Sequence, residues 1–183
     1  EPEADVSGLG GERLLSAGGR LVSDYDGLAV TGLAETLPAL PRFWATYRRL
    51  VRAARTERPD VFVAIDYPDF NFRLGASMAA LGIPVIYYIS PQVWAWRAGR
   101  LRTMKRFVTR ALVIFPFEEA LYRDAGIPVA FVGHPLVDLA VPVLGRDAFR
   151  SAHGLDAEAP TVAVLPGSRP NELRVILPDL VNA

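Results

Sequence analysis

Apolar residues in this chain come in two rhythms. Short continuous runs, Val61–Asp66 (VFVAID), Val85–Ser90 (VIYYIS), Ala111–Phe115 (ALVIF), Val129–Val132 (VAFV) and Thr161–Leu165 (TVAVL), read as strands. The segments between and around them, Glu35–Arg58, Asn71–Leu81, Ala98–Phe107, Phe117–Ala125 and Arg146–His153, have helical length and composition. Continuous apolar runs suit strands covered on both faces, as in a parallel sheet between helix layers. Gly82, Gly126 and Gly154 follow helical segments where a C-terminal cap belongs, and Pro84 and Pro128 stand just before strands. The alternation predicts an α/β fold with a doubly wound parallel sheet. It lapses between Pro135 and Asp147, where two more prolines and a glycine break any period. The expectation is one α/β domain over residues 1–140, then a linker and the start of a second over 141–183 that the chain does not complete.

Composition narrows the field. Hydrophobic residues make up 51% of the 183 and charged residues 22%, which excludes disorder as the dominant state. Twenty basic and twenty acidic residues cancel, so no global basic field exists to hold nucleic acid. The absence of cysteine excludes a disulfide scaffold, a Cys-ligated zinc site and a thiol nucleophile. With only His134 and His153, no multi-His metal site is expected. No apolar run reaches the roughly 20 residues that span a bilayer. The chain opens on Glu1, not methionine, which reads as a trimmed or partial chain.

Three stretches could carry chemistry. In Val63–Asn71 (VAIDYPDFN) an apolar strand ends in Asp66, and ligands of open α/β sheets sit outside the carboxyl ends of strands. Asp66 is placed either as a general base toward a substrate hydroxyl or as the stabiliser of a tight turn. For Asp69, capping of the next helix is the favoured reading. In Tyr87–Arg97 (YYISPQVWAWR), Trp94, Trp96 and Arg97 either stack on a sugar or acyl chain or close the rim of the core. In Thr161–Asn171 (TVAVLPGSRPN), a strand runs into Gly167, Ser168 and Arg169 just before a helix start at Pro170. There Gly167 lets the backbone approach a ligand, Ser168 and helix-start N–H groups meet phosphate oxygens, and Arg169 adds a charge-assisted contact. A structural turn with a solvated Arg is the competing reading.

Two weaker features remain. Ser7–Arg13 (SGLGGER) lacks the third fingerprint glycine and a normal strand before it, so it is not read as a dinucleotide site. His134 in VGHP reads as a hydrogen-bonded structural residue. The stretch Leu28–Leu50 is apolar, interrupted by Pro38 and Pro41, with Arg42, Arg48 and Arg49 toward its far end. It suits either an interfacial membrane contact or a core helix with a basic exposed face.

Together VAIDYPDFN, YYISPQVWAWR, FPFEEALY, FVGHPLVD and LPGSR resemble, in order and spacing, the lipid-A-disaccharide synthase family, a glycosyltransferase family of the two-domain GT-B type. The resemblance covers nearly the whole chain, from about Val6 to Asn182. It implies a Rossmann-like first domain lacking its opening strand, with a G-E-x-S-G-D loop, upstream of Glu1, and a donor-binding domain truncated at Ala183. It implies inverting transfer of diacylglucosamine from UDP-diacylglucosamine to lipid X (diacylglucosamine 1-phosphate), giving lipid A disaccharide 1-phosphate and UDP. No cofactor or metal is implied. The family's essential aspartate falls on Asp66 and its phosphate-binding arginine on Arg169. Because both substrates carry acyl chains, the resemblance favours Leu33, Leu37, Leu40, Phe43 and Trp44 as a contact with the inner membrane surface, for a cytoplasmic, peripherally attached protein. The alternatives are another UDP-sugar GT-B transferase or epimerase, or a non-catalytic α/β ligand-binding domain. Oligomeric state stays open, homo-oligomers included. The isolated chain is expected to be inactive, with a slot in its sheet where the first strand belongs.

Overall fold

Burial alternates along Phe62–Ile65, Val85–Tyr88 and Arg110–Val113, and the computed structural model shows why. It describes residues 4–25, 33–92, 99–167 and 170–182, of which 33–39 and 171 through the backbone only. Two compact units divide between Val137 and Asp138.

In the first unit, strands β1 (Ser7–Gly10) and β2 (Arg20–Asp24) flank a short helix, α1 (Glu12–Ser16). Helix α2 (Leu33–Glu57) follows, then β3 (Phe62–Ile65), α3 (Pro68–Ala80), β4 (Val85–Tyr88), α4 (Gly99–Met104), β5 (Arg110–Val113), α5 (Glu118–Asp124) and β6 (Val129–Phe131). Every strand pairing is parallel, β1 with β2 in one sheet and β3-β4-β5-β6 in the other. Parallel strands joined by helices are consistent with a doubly wound, Rossmann-like fold. Within the described residues β3 is an edge strand.

Register puts Ala64, Tyr87 and Ala111 side by side, with Val85 and Val113 on the same face. All five are essentially inaccessible to solvent. On that face pack the helical stripes Leu50 and Ala54 of α2 and Phe70, Leu74 and Met78 of α3, each spaced by four residues as a helix requires. Gly75 admits the ring of Phe107, which a Cβ there would meet at 2.7 Å. The opposite face is more open: Val63 is 47% and Ile65 55% exposed.

The repeated Gly-Ile-Pro-Val at 82–85 and 126–129 ends a helix and starts a strand twice. After α3, the N–H of Gly82 donates to Ala79 O and that of Ile83 to Met78 O, with Gly82 at φ 79°. After α5, Gly126 donates to Arg123 O and Ile127 to Tyr122 O, with Gly126 at φ 72°. These paired bonds close the helix end, and the left-handed residue between them is best as glycine. The prolines lack an N–H, but their carbonyls enter the ladder: Pro84 O accepts from Phe62 and Pro128 O from Ala111.

One stretch goes unread in the sequence, and one expectation needs correction. The segment before α2 holds β1, α1 and β2, which its composition does not announce. And Thr161–Leu165, in the second unit, is not a strand: Val162 is 82% and Leu165 87% exposed. A strand exists through its partner, and the described residues of that unit offer it none. The unit contains α6 (Arg146–Ala152) and α7 (Pro170–Asn182). It is organised by Arg150, whose buried guanidinium donates to Ala157 O, to Ala159 O at 2.9 Å and to Thr161 Oγ1 at 3.0 Å.

Candidate functional site

β3 and β4 run side by side and leave the sheet at the same level, as the bond from Asp66 N to Tyr88 O shows. Both exits are unusual. Asp66 and Tyr67 follow β3 with φ of 44° and 41°, and Ile89 follows β4 with φ of 50°. Left-handed backbone is uncommon outside glycine and a marked outlier for a β-branched residue. Each such residue costs on the order of 1–3 kcal/mol and persists only where its surroundings over-determine it.

The surroundings do so here. The Asn71 side chain donates from Nδ2 to Ile65 O at 3.0 Å and Asp66 O at 2.7 Å, and the Tyr87 hydroxyl donates to Asp66 O at 2.9 Å. At the second exit, the Ser90 hydroxyl donates to the Tyr122 oxygen at 2.8 Å, and Tyr122 donates onward to Pro91 O at 2.9 Å. Burial pushes both phenols up. The Tyr122 pKa rises to about 12, with the Ser90 bond opposing and Glu118 adding to the rise. Tyr87 moves further above the tyrosine range, first through burial and then through the negative charge of Asp66. Both remain O–H donors at any physiological pH.

Between these exits lies a cavity of about 710 Å³, lined by Asp66, Asp69, Ser90, Gln92, Arg100 and His134 among others. Asp66 stands exposed at its lip. Asp69 does not cap α3. The N-cap position is Tyr67, without a side-chain bond, and Pro68 opens the first turn. Asp69 instead sits in that first turn, where its charge suits the helix dipole, and binds Arg100 at 2.6 Å. Arg100 also lies over the Phe72 ring, 5.3 Å from its centroid. His134 accepts from Leu136 N–H at Nδ1, 3.1 Å away, which places the neutral ring's proton on Nε2. It is thus hydrogen-bonded, as its sequence context suggests, and it also lines the cavity.

Trp94, Trp96, Arg97, Ser168 and Arg169 lie outside the described residues. Gly167, in the second unit, has φ 110°, and a Cβ there would meet Glu172 Oε2 at 2.5 Å. Leu33 and Leu37 begin α2. Leu40 and Trp44 are 42% and 41% exposed, whereas Phe43 packs edge-on against Phe70, 4.9 Å between centroids. Trp44 carries the Arg73 guanidinium 5.6 Å from its ring.

Sequence reasoning assigned no role to Asn71, Tyr87 or Arg100. Strand parity is the signal for Tyr87: it shares the inward side of β4 with Val85. Among the described residues, no three His, Asp or Glu side chains converge to hold a metal ion, and no helix is long and apolar enough to cross a membrane.

Comparison with known proteins gives this architecture its relatives. A family model described as lipid-A-disaccharide synthetase matches residues 1–183. The lipid-A-disaccharide synthase of Koribacter versatilis is 48% identical over 179 residues, covering 98% of this chain and 47% of that protein. That of Myxococcus xanthus is 47% identical, covering 100% of this chain and 48% of its own length. Lipid-A-disaccharide synthase 1 of Legionella pneumophila is 43% identical over 182 residues. The chain spans about half the length of these curated relatives. On the strength of a match along its whole length, the chain belongs to the lipid-A-disaccharide synthetase family.

Proposed function

We propose that the first unit forms the acceptor side of an inverting glycosyltransferase that joins UDP-diacylglucosamine to lipid X. The family's work is lipid A biosynthesis, and its named members are synthases, enzymes of the glycosyltransferase type. The observation that carries the finer reading is Asp66, a carboxylate at the lip of a cavity beside two strand ends, projecting from a main chain whose carbonyl is held by two donors. In this reading Asp66 takes the proton of the acceptor hydroxyl. The freed oxygen attacks the anomeric carbon, the bond from that carbon to UDP breaks, and the electron pair leaves on the UDP phosphate. Attack opposite the leaving group inverts the centre.

The remaining roles follow the same reading. Gly167, Ser168 and Arg169 hold donor phosphates, Arg169 offsetting charge on departing UDP. Trp94, Trp96 and Arg97 contact the acceptor or its acyl chains. Leu33, Leu37, Leu40 and Trp44 rest on the inner membrane surface, with the exposure of Leu40 and Trp44 in support. Phe43 lends packing to that face instead of standing free, given its contact with Phe70. Because the relatives are twice as long, this chain supplies one side of the reaction, and it is expected to be inactive alone.

The test is a chimera in which this chain replaces the matching half of the Koribacter versatilis relative. Asp66→Asn keeps the shape and removes the base, so disaccharide formation should fall by ~10²–10⁴. Turnover near that of the parent chimera would remove Asp66 from the role.

A further inference from the structure

We infer that Asn71 and Tyr87 are positioning residues for the Asp66 carboxylate, clamping the backbone from which it projects. The inference rests on the reading of Asp66 as the base.

The geometry is specific. In a regular strand successive carbonyls point in opposite directions. One amide group, Asn71 Nδ2, nevertheless reaches two successive carbonyls, Ile65 O at 3.0 Å and Asp66 O at 2.7 Å. That double contact is open only because Asp66 has turned into the left-handed region, at φ 44°. The bond and the conformation therefore sustain one another. Tyr87 adds a second donor to Asp66 O from the neighbouring strand, at 2.9 Å. The main chain of Asn71 closes the turn by donating to Tyr67 O at 3.0 Å.

Both clamps are anchored in the core. Tyr87 is completely buried and Asn71 is 8% exposed. Asn71 sits on α3, which is fixed by Phe70, Leu74 and Met78. Neither residue is among those lining the cavity. Buried and set back from the cavity, they reach the chemistry through the backbone of Ile65 and Asp66 that they hold. Only donors suit the two positions, because both face carbonyl oxygens. An Asp at 71 has the same shape and nothing to donate, and it would bring a negative charge against those oxygens.

The experiment uses the chimera with Tyr87→Phe, Asn71→Asp and Asp66→Asn, singly and with each clamp change combined with Asp66→Asn. Turnover is referred to the folded fraction measured by circular dichroism, so lost stability does not pass for lost positioning. Tyr87→Phe should lower kcat about tenfold and Asn71→Asp about 100-fold, with KM for the UDP-sugar unchanged, since small misplacement of a reacting group is costly. On the Asp66→Asn background each clamp change should cost no more than about twofold, because nothing remains to be positioned. Equal losses on both backgrounds, or unchanged kcat with a lowered melting temperature, would make the clamp purely structural and overturn the inference. Full activity in Asp66→Asn itself would instead overturn the reading of Asp66 as base, a result separable from the first.

Discussion

Two apolar runs of nearly the same make-up meet opposite fates in this molecule. Val61–Asp66 becomes a strand, and its last residue is fixed by donors from a helix and a neighbouring strand. Thr161–Leu165 pairs with no strand among the described residues of the second unit, and Leu165 is 87% exposed. The difference does not lie in intrinsic propensity, since both runs are rich in β-branched residues. It lies in what each run meets: a parallel neighbour with helices over one face in the first case, and in the second, among the described residues, no strand but the Arg150 guanidinium, which holds the segment's beginning through Thr161. A site built at the end of the first run inherits rigidity from the sheet.

This contrast can be broken at graded cost. The largest effect should come from Leu74→Ala, a 2% exposed side chain in the centre of the first unit. It should lower stability by about 2–5 kcal/mol in a denaturant titration. A loss below 1 kcal/mol would mean that the first unit is as loosely packed as the second.

Next comes alkali. Tyr87 and Tyr122 have pKa values raised by burial, Tyr122 to about 12, against an unfolded value near 10. A raised folded pKa leaves stability intact below pH 10 and removes it as pH climbs toward the folded value, because the unfolded chain alone releases the proton. The loss should be about 1.4 kcal/mol per pH unit for each tyrosine, so about 2–3 kcal/mol for Tyr122 by pH 12. All six tyrosines precede residue 138, so this titration acts on the first unit. Flat stability from pH 9 to 12 would contradict the burial of both phenols.

A smaller effect is expected at Gly82, whose φ of 79° closes α3. Gly82→Ala should cost about 1 kcal/mol, seen as a lower melting temperature. The smallest is Leu165→Ala, which should stay within about 0.5 kcal/mol. A large loss there would reveal a hidden partner for Thr161–Leu165 and dissolve the contrast.

Much of the first unit was legible in the chain. Each of its four long apolar runs became a strand, and Gly82 and Gly126 take left-handed conformations at helix ends, as Gly154 does in the second unit. These features are local: a run, a breaker, a cap. What escaped was set by partners. Ser7–Gly10 offers a single large apolar residue, Leu9, and is a strand because Arg20–Asp24 pairs with it. Thr161–Leu165 has the pattern and lacks the pairing. At the site, Asp66 was readable as a carboxylate at a strand end, but the donors that hold its left-handed backbone, Asn71 and Tyr87, come from a helix and another strand, which local sequence does not reveal. His134 was discounted as structural, since nothing in VGHP tells that it borders the same cavity as Asp66.

The edge that β3 leaves open among the described residues has a consequence for anyone handling this chain. Phe62–Ile65 carries no charge and no proline, the devices by which natural sheets blunt an open edge. Beside that edge, Val63 and Ile65 present an oily face. Encounter between two such edges is a second-order process, so its rate climbs with the square of concentration. Dilution should preserve a sample better than chilling, because cold weakens the burial that supports the core while leaving the open ladder as it was.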